Sequence, residues 1–290
     1  MDYGADDLYK CSSQGASLTT NATPGPDGPQ APNLDITSPH SARVWNYWLG
    51  GKDNYPVDRV VGEQVRQVFP QIIEIARESR AFLGRVVRFL AGDAGIRQFL
   101  DIGTGLPTAG NTHEIAQGIA PESKIVYVDR DPLVLVHARA LLTSTPQGAT
   151  SYVDSDVRDT AKILAAAGDL LDFDRPIALM MLGVLGNLAD LDEARAIVGT
   201  LLDALPAGSY LVLNDGTAPI DETAQAVSEA ARRRGEAGDP YYPRTPQQFA
   251  RYVDGLDLVE PGVVSTSMWR PDPGTSPHPI YSHCVVAHRR

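Results

Sequence analysis

Three aspartates, each near the end of an apolar segment, are the side chains whose type and spacing could do chemistry. Asp101 precedes Gly103 by two residues, Asp129 ends Ile-Val-Tyr-Val-Asp, and Asp156 follows Tyr-Val-Asp-Ser. If the segments are neighbouring parallel strands, the three carboxylates meet at one crevice. An acid after the second strand suits the hydroxyls of a ribose, and an acid after the third suits the amino group of adenine. The pattern predicts an adenosine site.

The loop Gly103-Thr-Gly105 narrows the class of ligand. It lacks the third glycine of the dinucleotide fingerprint, and no Gly-Lys-Ser/Thr of a Walker A loop follows. The carboxylate of Asp101 would repel a pyrophosphate but would attract a cationic group. Adenosine joined to a cation describes S-adenosylmethionine. A nucleotide-linked oxidoreductase is a further hypothesis, which the incomplete fingerprint disfavours.

The segment of residues 41–58 places two tryptophans and two tyrosines beside a Gly-Gly pair and several polar residues. One interpretation is an aromatic staple that docks the N-terminus onto the core, and the other is a lid over a ligand. As a lid, it would contact the ligand through Tyr47, Gly51 and Asn54, and Tyr47 or Asp58 would meet the substrate. An aromatic face there would favour a cationic sulfur. Both interpretations stay open.

The elements that must position these residues alternate between apolar strands and amphipathic helices. Runs of Val, Ile and Leu without polar alternation indicate a parallel sheet covered on both faces, in a doubly wound α/β domain. The last strand follows no long helix, which suits antiparallel pairing at an edge. The predicted strands are 98–102, 124–128, 149–153, 176–182, 209–214, 256–260 and 279–287. The predicted helices are 108–118, 132–142, 160–167, 190–205, 219–233 and 245–253.

Composition divides the chain into three parts. Residues 1–40 are rich in Ser, Thr, Gly, Pro and Asn, which bury too little apolar surface to fold, so we predict a disordered tail. Residues 41–95 are predicted to form a helical lid segment with a long packing helix from Pro70. Residues 96–290 are predicted to form the Rossmann-like domain that binds S-adenosylmethionine.

Charge and cysteine content bound the function further. The 290 residues carry a net charge of −11, which disfavours a nucleic-acid partner. Cys11 and Cys284 lack metal-ligand spacing, so we expect free thiols in a reducing compartment and no metal site. The N-terminus has no apolar signal region, and the longest apolar run, 177–182, is too short to span a bilayer. We therefore expect a soluble, cytoplasmic protein without a membrane partner, whose oligomeric state is open.

At these motifs the chain resembles the class I S-adenosylmethionine-dependent methyltransferases. Leu100-Asp-Ile-Gly-Thr-Gly105 is similar to their first motif, and Val128-Asp129 and Asp156-Val157 fall where their second and third acidic motifs fall. More narrowly, the chain is similar to the actinobacterial S-adenosyl methyltransferase family, formerly a domain of unknown function, over about residues 41–290. The shared stretches are Ala42–Asn54, Asp58-Arg59, Phe99–Thr108, Tyr127–Pro132, Tyr242–Phe249, Leu258–Gly262 and Trp269–Pro271.

The resemblance implies a seven-stranded, mostly parallel sheet with a reversed last strand, and S-adenosyl-L-methionine as the methyl donor. It implies that Asp101, Gly103 and Gly105 surround the methionyl part, that Asp129 takes the ribose and that Asp156-Val157 holds adenine. We also expect contacts with the donor from Thr104, Arg130 and Leu182.

The resemblance does not supply an acceptor. The Asn-Pro-Pro-Tyr segment that serves amide and aromatic nitrogens is missing, which disfavours DNA methylation. In the segment after the fourth strand, Asn187 is the strongly polar side chain, and its amide cannot act as a base near neutral pH. Tyr47, Asp58 and Asn187 are therefore catalytic candidates without an assigned role. We predict a methyltransferase for a small molecule, with a non-catalytic protein that binds the donor as the alternative. His113 is expected on a helix surface, and Arg232-Arg-Arg234 at a solvated helix end.

Overall fold

A mixed β-sheet forms the centre of the protein. The computed structural model describes residues 35–107, 110–141, 144–218 and 221–290, with the backbone alone at 135 and 138–141. The strands in these ranges are β1 (Gln98–Ile102), β2 (Lys124–Asp129), β3 (Ala149–Asp154), β4 (Ala178–Leu182), β5 (Tyr210–Gly216), β6 (Asp257–Leu258), β7 (Val264–Ser265) and β8 (Ser282–His288). Their order is β3-β2-β1-β4-β5-β8-β6, and β7 also pairs with β8. The first five strands are parallel, whereas β8 is antiparallel to its partners.

This arrangement confirms the predicted α/β class, the mostly parallel sheet and the antiparallel last strand. It differs from the prediction in two respects. Within the described ranges the sheet has eight strands rather than seven, and β8 lies between β5 and the short strands instead of at the edge. The additional strand is β7, whose two residues are too few to show a periodic pattern in the sequence, whereas the two-residue β6 lies within the predicted strand 256–260.

Helices cover both faces of the sheet. The α-helices in the part of the chain that the structure describes are α1 (Ser41–Trp48), α2 (Pro56–Val68), α3 (Ile72–Arg88), α4 (Thr112–Ile119), α5 (Pro132–Leu141), α6 (Thr160–Ala167), α7 (Leu191–Asp203), α8 (Ala224–Glu236) and α9 (Pro246–Ala250). A π-helical turn at Phe89–Asp93 extends α3. None of the described helices is long and apolar enough to cross a lipid bilayer.

Alternate residues of the strands enter two separate hydrophobic cores. Leu100 and Ile102 of β1 belong to the core that α6, α7 and α9 close, whereas Phe99 belongs to the core that α3 and α4 close. A third core joins α1, α2 and α8 through residues that include Val44 and Val227. This third core holds α1 near α8, so that both helices border the same space above the sheet.

The predicted tail of residues 1–40 lies mostly outside the described residues. Its last six residues, 35–40, are described and contact the folded chain. The guanidinium of Arg43 donates to the carbonyl oxygens of Asp35 at 2.8 Å and Ser38 at 3.1 Å, and the N–H of His40 donates to Asp58 at 3.0 Å. The folded part therefore begins before Ser41. The boundary at residue 95 between a lid segment and the α/β domain stays a prediction.

Candidate active site

One large cavity lies at the C-terminal ends of the parallel strands, where their loops meet α1, α3 and α8. Its volume is about 1370 Å³, part of it open to solvent. Many of the donor contacts predicted from the sequence line it, namely Asp101, Gly103, Thr104, Gly105, Asp129, Arg130, Asp156, Val157 and Leu182. The strand ends therefore present one continuous site rather than separate ones.

The loop after β1 is a tight turn that exposes its backbone to the cavity. Gly103 and Gly105 have φ angles of 74° and 67°, in the left-handed region that favours glycine. A Cβ on Gly103 would lie 2.7 Å from the Cβ of Val184, whereas a Cβ on Gly105 would meet nothing within 4 Å. Thr104 stabilises the turn, because its hydroxyl donates a hydrogen bond to the carbonyl of Asp101 at 3.1 Å. A ligand can therefore approach the loop closely.

Asp129 organises this loop from the end of β2. One of its carboxylate oxygens accepts the N–H of Gly105 and the other accepts the N–H of Asp131, both at 2.9 Å. Burial raises the pKa of Asp129. Asp131 in turn faces the cavity residue His40, with 3.1 Å between His40 Nδ1 and Asp131 Oδ2. His40 escaped the sequence analysis because it fell within the predicted tail.

Asp101 is a buried carboxylate near the end of β1. It is 4% exposed, and its Oδ2 accepts the hydroxyl of Thr112 at 2.7 Å. Burial raises the pKa of Asp101 to about 6, although Thr112 and the charge of Arg80 oppose the shift. A cationic ligand at this point would stabilise the ionised form. The sequence singled out Asp101 as a carboxylate that would attract a cationic group, and its burial in the structure is consistent with that role.

Arg80 on α3 brings a positive charge to the same end of the cavity. It lines the cavity and donates to Asn111 Oδ1 at 3.1 Å. Burial lowers the pKa of this guanidinium, and the carboxylate of Asp101 opposes that effect. The sequence analysis took α3 for a packing helix without chemistry. The pattern carried no signal for Arg80, because several other arginines occur on the same helix.

Asp156 lies at the more exposed end of the cavity. Its Oδ1 accepts the N–H of Arg158 at 2.9 Å, and Arg130 lies 3.4 Å from its Oδ2. Burial alone would raise the pKa of Asp156, but the N–H of Arg158 and the neighbouring arginine charges lower it overall. Asp156 is therefore ionised and partly solvated, in contrast to Asp101.

Tyr241 lines the cavity beside the ends of β4 and β5, where its ring lies between two glycines. A Cβ on Gly186 would come within 2.3 Å of the Tyr241 ring, and one on Gly216 within 3.1 Å of its hydroxyl oxygen. The hydroxyl donates to Asp215 Oδ1 at 2.5 Å and accepts the N–H of Gly216 at 2.9 Å. Burial raises the pKa of Asp215 to about 6. Neither residue was singled out from the sequence.

Arg234 and Ser41 connect α8 to α1 across this part of the cavity. The Nε and a terminal nitrogen of Arg234 donate to Asp239 Oδ2 at 2.9 and 2.6 Å. Ser41 Oγ lies 2.5 Å from Asp239 Oδ1 and 3.3 Å from the predicted candidate Asn187. The guanidinium of Arg234 also lies 4.7 Å from the ring centre of Tyr241. The predicted solvated helix end is thus wrong for Arg234, which is 7% exposed and lines the cavity.

Comparison with known proteins decides the family. A family model described as S-adenosyl methyltransferase matches residues 27–289. The chain belongs to this family. No curated protein sequence matches the chain. As an S-adenosylmethionine-dependent methyltransferase, it has S-adenosylmethionine as its methyl donor, which confirms the predicted enzyme class and cofactor.

Solved structures similar to this methyltransferase include two at more than 40% identity. A DUF574 family protein from Streptomyces avermitilis MA-4680 is 44% identical, with a TM-score of 0.83 over 88% of this chain and 99% of that chain. A proposed methyltransferase from Thermobifida fusca YX is 41% identical, with a TM-score of 0.81 over 89% of this chain and 98% of that chain. The plantazolicin methyltransferase BpumL, crystallised with S-adenosylhomocysteine, is 12% identical with a TM-score of 0.51 over 86% and 96%, and shows the fold alone.

Of the predicted lid residues, Tyr47, Gly51 and Asn54 do not line the cavity of the methyltransferase, whereas Trp45 does. Tyr47 lies on the other side of α1, where its hydroxyl donates to Glu63 at 3.1 Å. Asn54 donates to Asn46 Oδ1 at 2.8 Å and to the carbonyl of Gly51 at 3.0 Å, so Gly51 and Asn54 close a turn after α1. The helical repeat explains the difference, because Ser41, Ala42, Trp45 and Leu49 share the face of α1 that lines the cavity.

Two further predictions are corrected by burial. Asp58 is fully buried and accepts the N–H of Tyr55 at 2.8 Å, so it caps α2 and cannot meet a substrate. His113 is 2% exposed rather than on a helix surface, with its Nδ1 2.9 Å from the hydroxyl of Tyr127. Cys284 is a buried free thiol whose pKa burial raises, and Cys11 lies outside the described residues. The sequence pattern identified these residue types, but it did not show how deeply each side chain is buried.

Proposed function

We propose that this methyltransferase transfers a methyl group to a small organic acceptor that shares one cavity with the donor. The observation that supports this most directly is that residues of two chemical kinds line the cavity at different strand ends. The glycine loop and the strand-end carboxylates belong to β1, β2 and β3, whereas Asn187 and Tyr241 lie beside the ends of β4 and β5, and Trp45 lines the same cavity from α1. A donor held at the first group of strand ends, here called the donor end, would point its reactive group towards the second, the acceptor end.

The donor end fits S-adenosylmethionine group by group. We assign the ammonium to Asp101, whose carboxylate has a pKa raised by burial, and the donor's carboxylate to Arg80. The ribose is assigned to Asp129, and adenine to Asp156 and Val157. The backbone of Gly103 and Gly105, with Thr104, Arg130 and Leu182, would complete the donor's surroundings.

S-adenosylmethionine, when bound, would supply an activated methyl group, to which the acceptor's lone pair would bond as the carbon–sulfur bond gives its electron pair to sulfur. The protein's own residues position the partners and exclude water. Trp45 covers the cavity from α1, and its ring face would favour a cation. If the acceptor carries a proton, Tyr241 is our candidate to accept it while passing its own hydroxyl proton to Asp215.

Two measurements test this function. A thermal shift with S-adenosylmethionine and S-adenosylhomocysteine, but none with NAD, is expected from the proposed donor site. Methyl-labelled donor incubated with cell extract should then label the low-molecular-weight fraction. Label confined to protein or nucleic acid would contradict a small acceptor, and donor binding without any labelled product would favour the alternative of a non-catalytic donor-binding protein.

A further inference from the structure

A second cavity lies between the N-terminal helices and α8, outside the donor site. Together with the open solvent that adjoins it, the space between these elements amounts to about 510 Å³. Aromatic and aliphatic side chains dominate its walls, among them Trp48, Val65, Phe69, Ile72, Val227 and Tyr281. An apolar cavity of this kind favours an apolar ligand, because a polar ligand would lose hydration without gaining hydrogen bonds.

Three residues line both cavities. Trp45, Arg234 and Tyr241 therefore form the wall at which the second cavity meets the proposed acceptor end of the first. A molecule seated against this wall in the second cavity would lie beside the first cavity, in which we place the donor. Position alone thus links the apolar cavity to the methyl-transfer site.

Two polar side chains that line the second cavity, Arg234 and Thr217, already have partners within the protein. Arg234 is paired with Asp239 and lies over the rings of Trp48 and Tyr241, at 5.7 and 4.7 Å from their centres. The hydroxyl of Thr217 lies 2.9 Å from His283 Nδ1. A ligand in this cavity therefore needs no hydrogen-bonding groups of its own, and it meets rings that prefer to pack against another ring.

We propose that the methyl acceptor carries an aromatic ring system that occupies the second cavity, while its methyl-accepting atom extends past Trp45 and Tyr241 into the first. This assignment rests on the function proposed above. It defines the acceptor class by two parts, an uncharged planar ring system and a nucleophilic atom at one end. The arrangement accounts for a donor site built from charges beside an acceptor site built from rings.

The neutral fluorescent probe N-phenyl-1-naphthylamine tests the cavity directly, with the full-length protein saturated with S-adenosylhomocysteine. Ala231 lines the second cavity from α8, so Ala231→Phe places a ring inside it. Gln225 is exposed on the same helix, and Gln225→Phe is the matched control. We expect saturable probe binding, a loss of about tenfold or more in affinity for Ala231→Phe because the ring takes the probe's place, and no change for Gln225→Phe. Equal probe affinity in both variants would overturn the site.

S-adenosylhomocysteine affinity, measured by calorimetry in the same variants, separates this proposal from the proposed function. It should be unchanged in both variants, whereas absent binding in the unaltered protein would contradict the donor site itself. With methyl-labelled donor and cell extract, the labelled product should partition into an organic solvent, and Ala231→Phe should reduce its formation. A labelled product that stays in the aqueous phase would overturn the proposal of an aromatic acceptor. Equal rates of product formation by Ala231→Phe and the unaltered protein would overturn it as well.

Discussion

The two ends of the main cavity differ in how their charged side chains are balanced. At the donor end, burial raises the pKa of Asp101 and Asp129, so these carboxylates lie where charge is costly until a ligand balances it. At the acceptor end, Arg234 is paired with Asp239, and Asp215, whose pKa burial also raises, accepts the hydroxyl of Tyr241. We therefore expect the first end to select its ligand by charge, and the second by the shape and polarity of its walls.

The ends also differ in how the chain assembles them. Asp101, Gly103 and Gly105 lie within five residues, on one strand and the turn that follows. The acceptor end joins Ser41 and Trp45 of α1 to Arg234 and Tyr241, nearly two hundred positions later in the chain. Separate assembly predicts that substitutions at one end leave the chemistry of the other intact, and the following experiments test this independence.

The largest effect is expected from Asp129→Ala. It removes both the proposed ribose contact and the carboxylate that holds the N–H of Gly105, so we expect S-adenosylhomocysteine to bind about 3 kcal/mol more weakly by calorimetry. Asp154 is paired with Asp129 across β2 and β3 but is exposed, which makes Asp154→Ala the matched control. Unchanged affinity in Asp129→Ala would remove this residue from the donor site.

A smaller loss is expected from Arg80→Gln, because one charge-assisted interaction with the donor's carboxylate is lost. We expect S-adenosylhomocysteine to bind about 2 kcal/mol more weakly. Methylthioadenosine lacks the amino-acid part, so its affinity should not change. Arg77→Gln, at an exposed position of the same helix, serves as the control. A parallel loss for both ligands would mean that Arg80 shapes the site without meeting the carboxylate.

Donor affinity should depend on pH through Asp101. Its folded pKa of about 6 means that the free site is largely protonated below that pH, and binding a cation must then release the proton. Affinity for S-adenosylhomocysteine should therefore fall as pH falls, by about fourfold from about pH 7.5 to about pH 5.5. Asp101→Asn should flatten this dependence, leaving the contribution of Asp129. A slope unaltered by Asp101→Asn would place the titrating group elsewhere.

The smallest effect on the donor is expected from Tyr241→Phe. Donor affinity should not change, whereas the free energy of unfolding should fall by about 1 kcal/mol because Asp215 loses one hydrogen-bond donor. Methyl transfer should slow if the hydroxyl accepts the proton. Tyr242→Phe alters the exposed neighbouring ring and is the control. A clear loss of donor affinity in Tyr241→Phe would show that the two ends are not independent.

The signals from which the sequence predicts the donor end are local. The glycine loop, the acid before it and the acids after the next two strands are each readable from a few consecutive residues, and the strand alternation orders them. The N-terminal segment was harder. Tyr47 and Trp45 are equally aromatic, yet only Trp45 lines the cavity, since the rotation of α1 about its axis depends on the core it shares with α2 and α8.

What the sequence by itself determined is the sheet, the turn after β1 and the type of ligand that three strand-end acids can hold, because backbone geometry and alternation are encoded within each segment. Tertiary structure alone decided that Arg80 joins the donor end, that Arg234 is buried rather than solvated, and that Asp58 caps a helix instead of meeting a substrate. These roles depend on which helix face packs inward, and that is settled only when distant segments share a core.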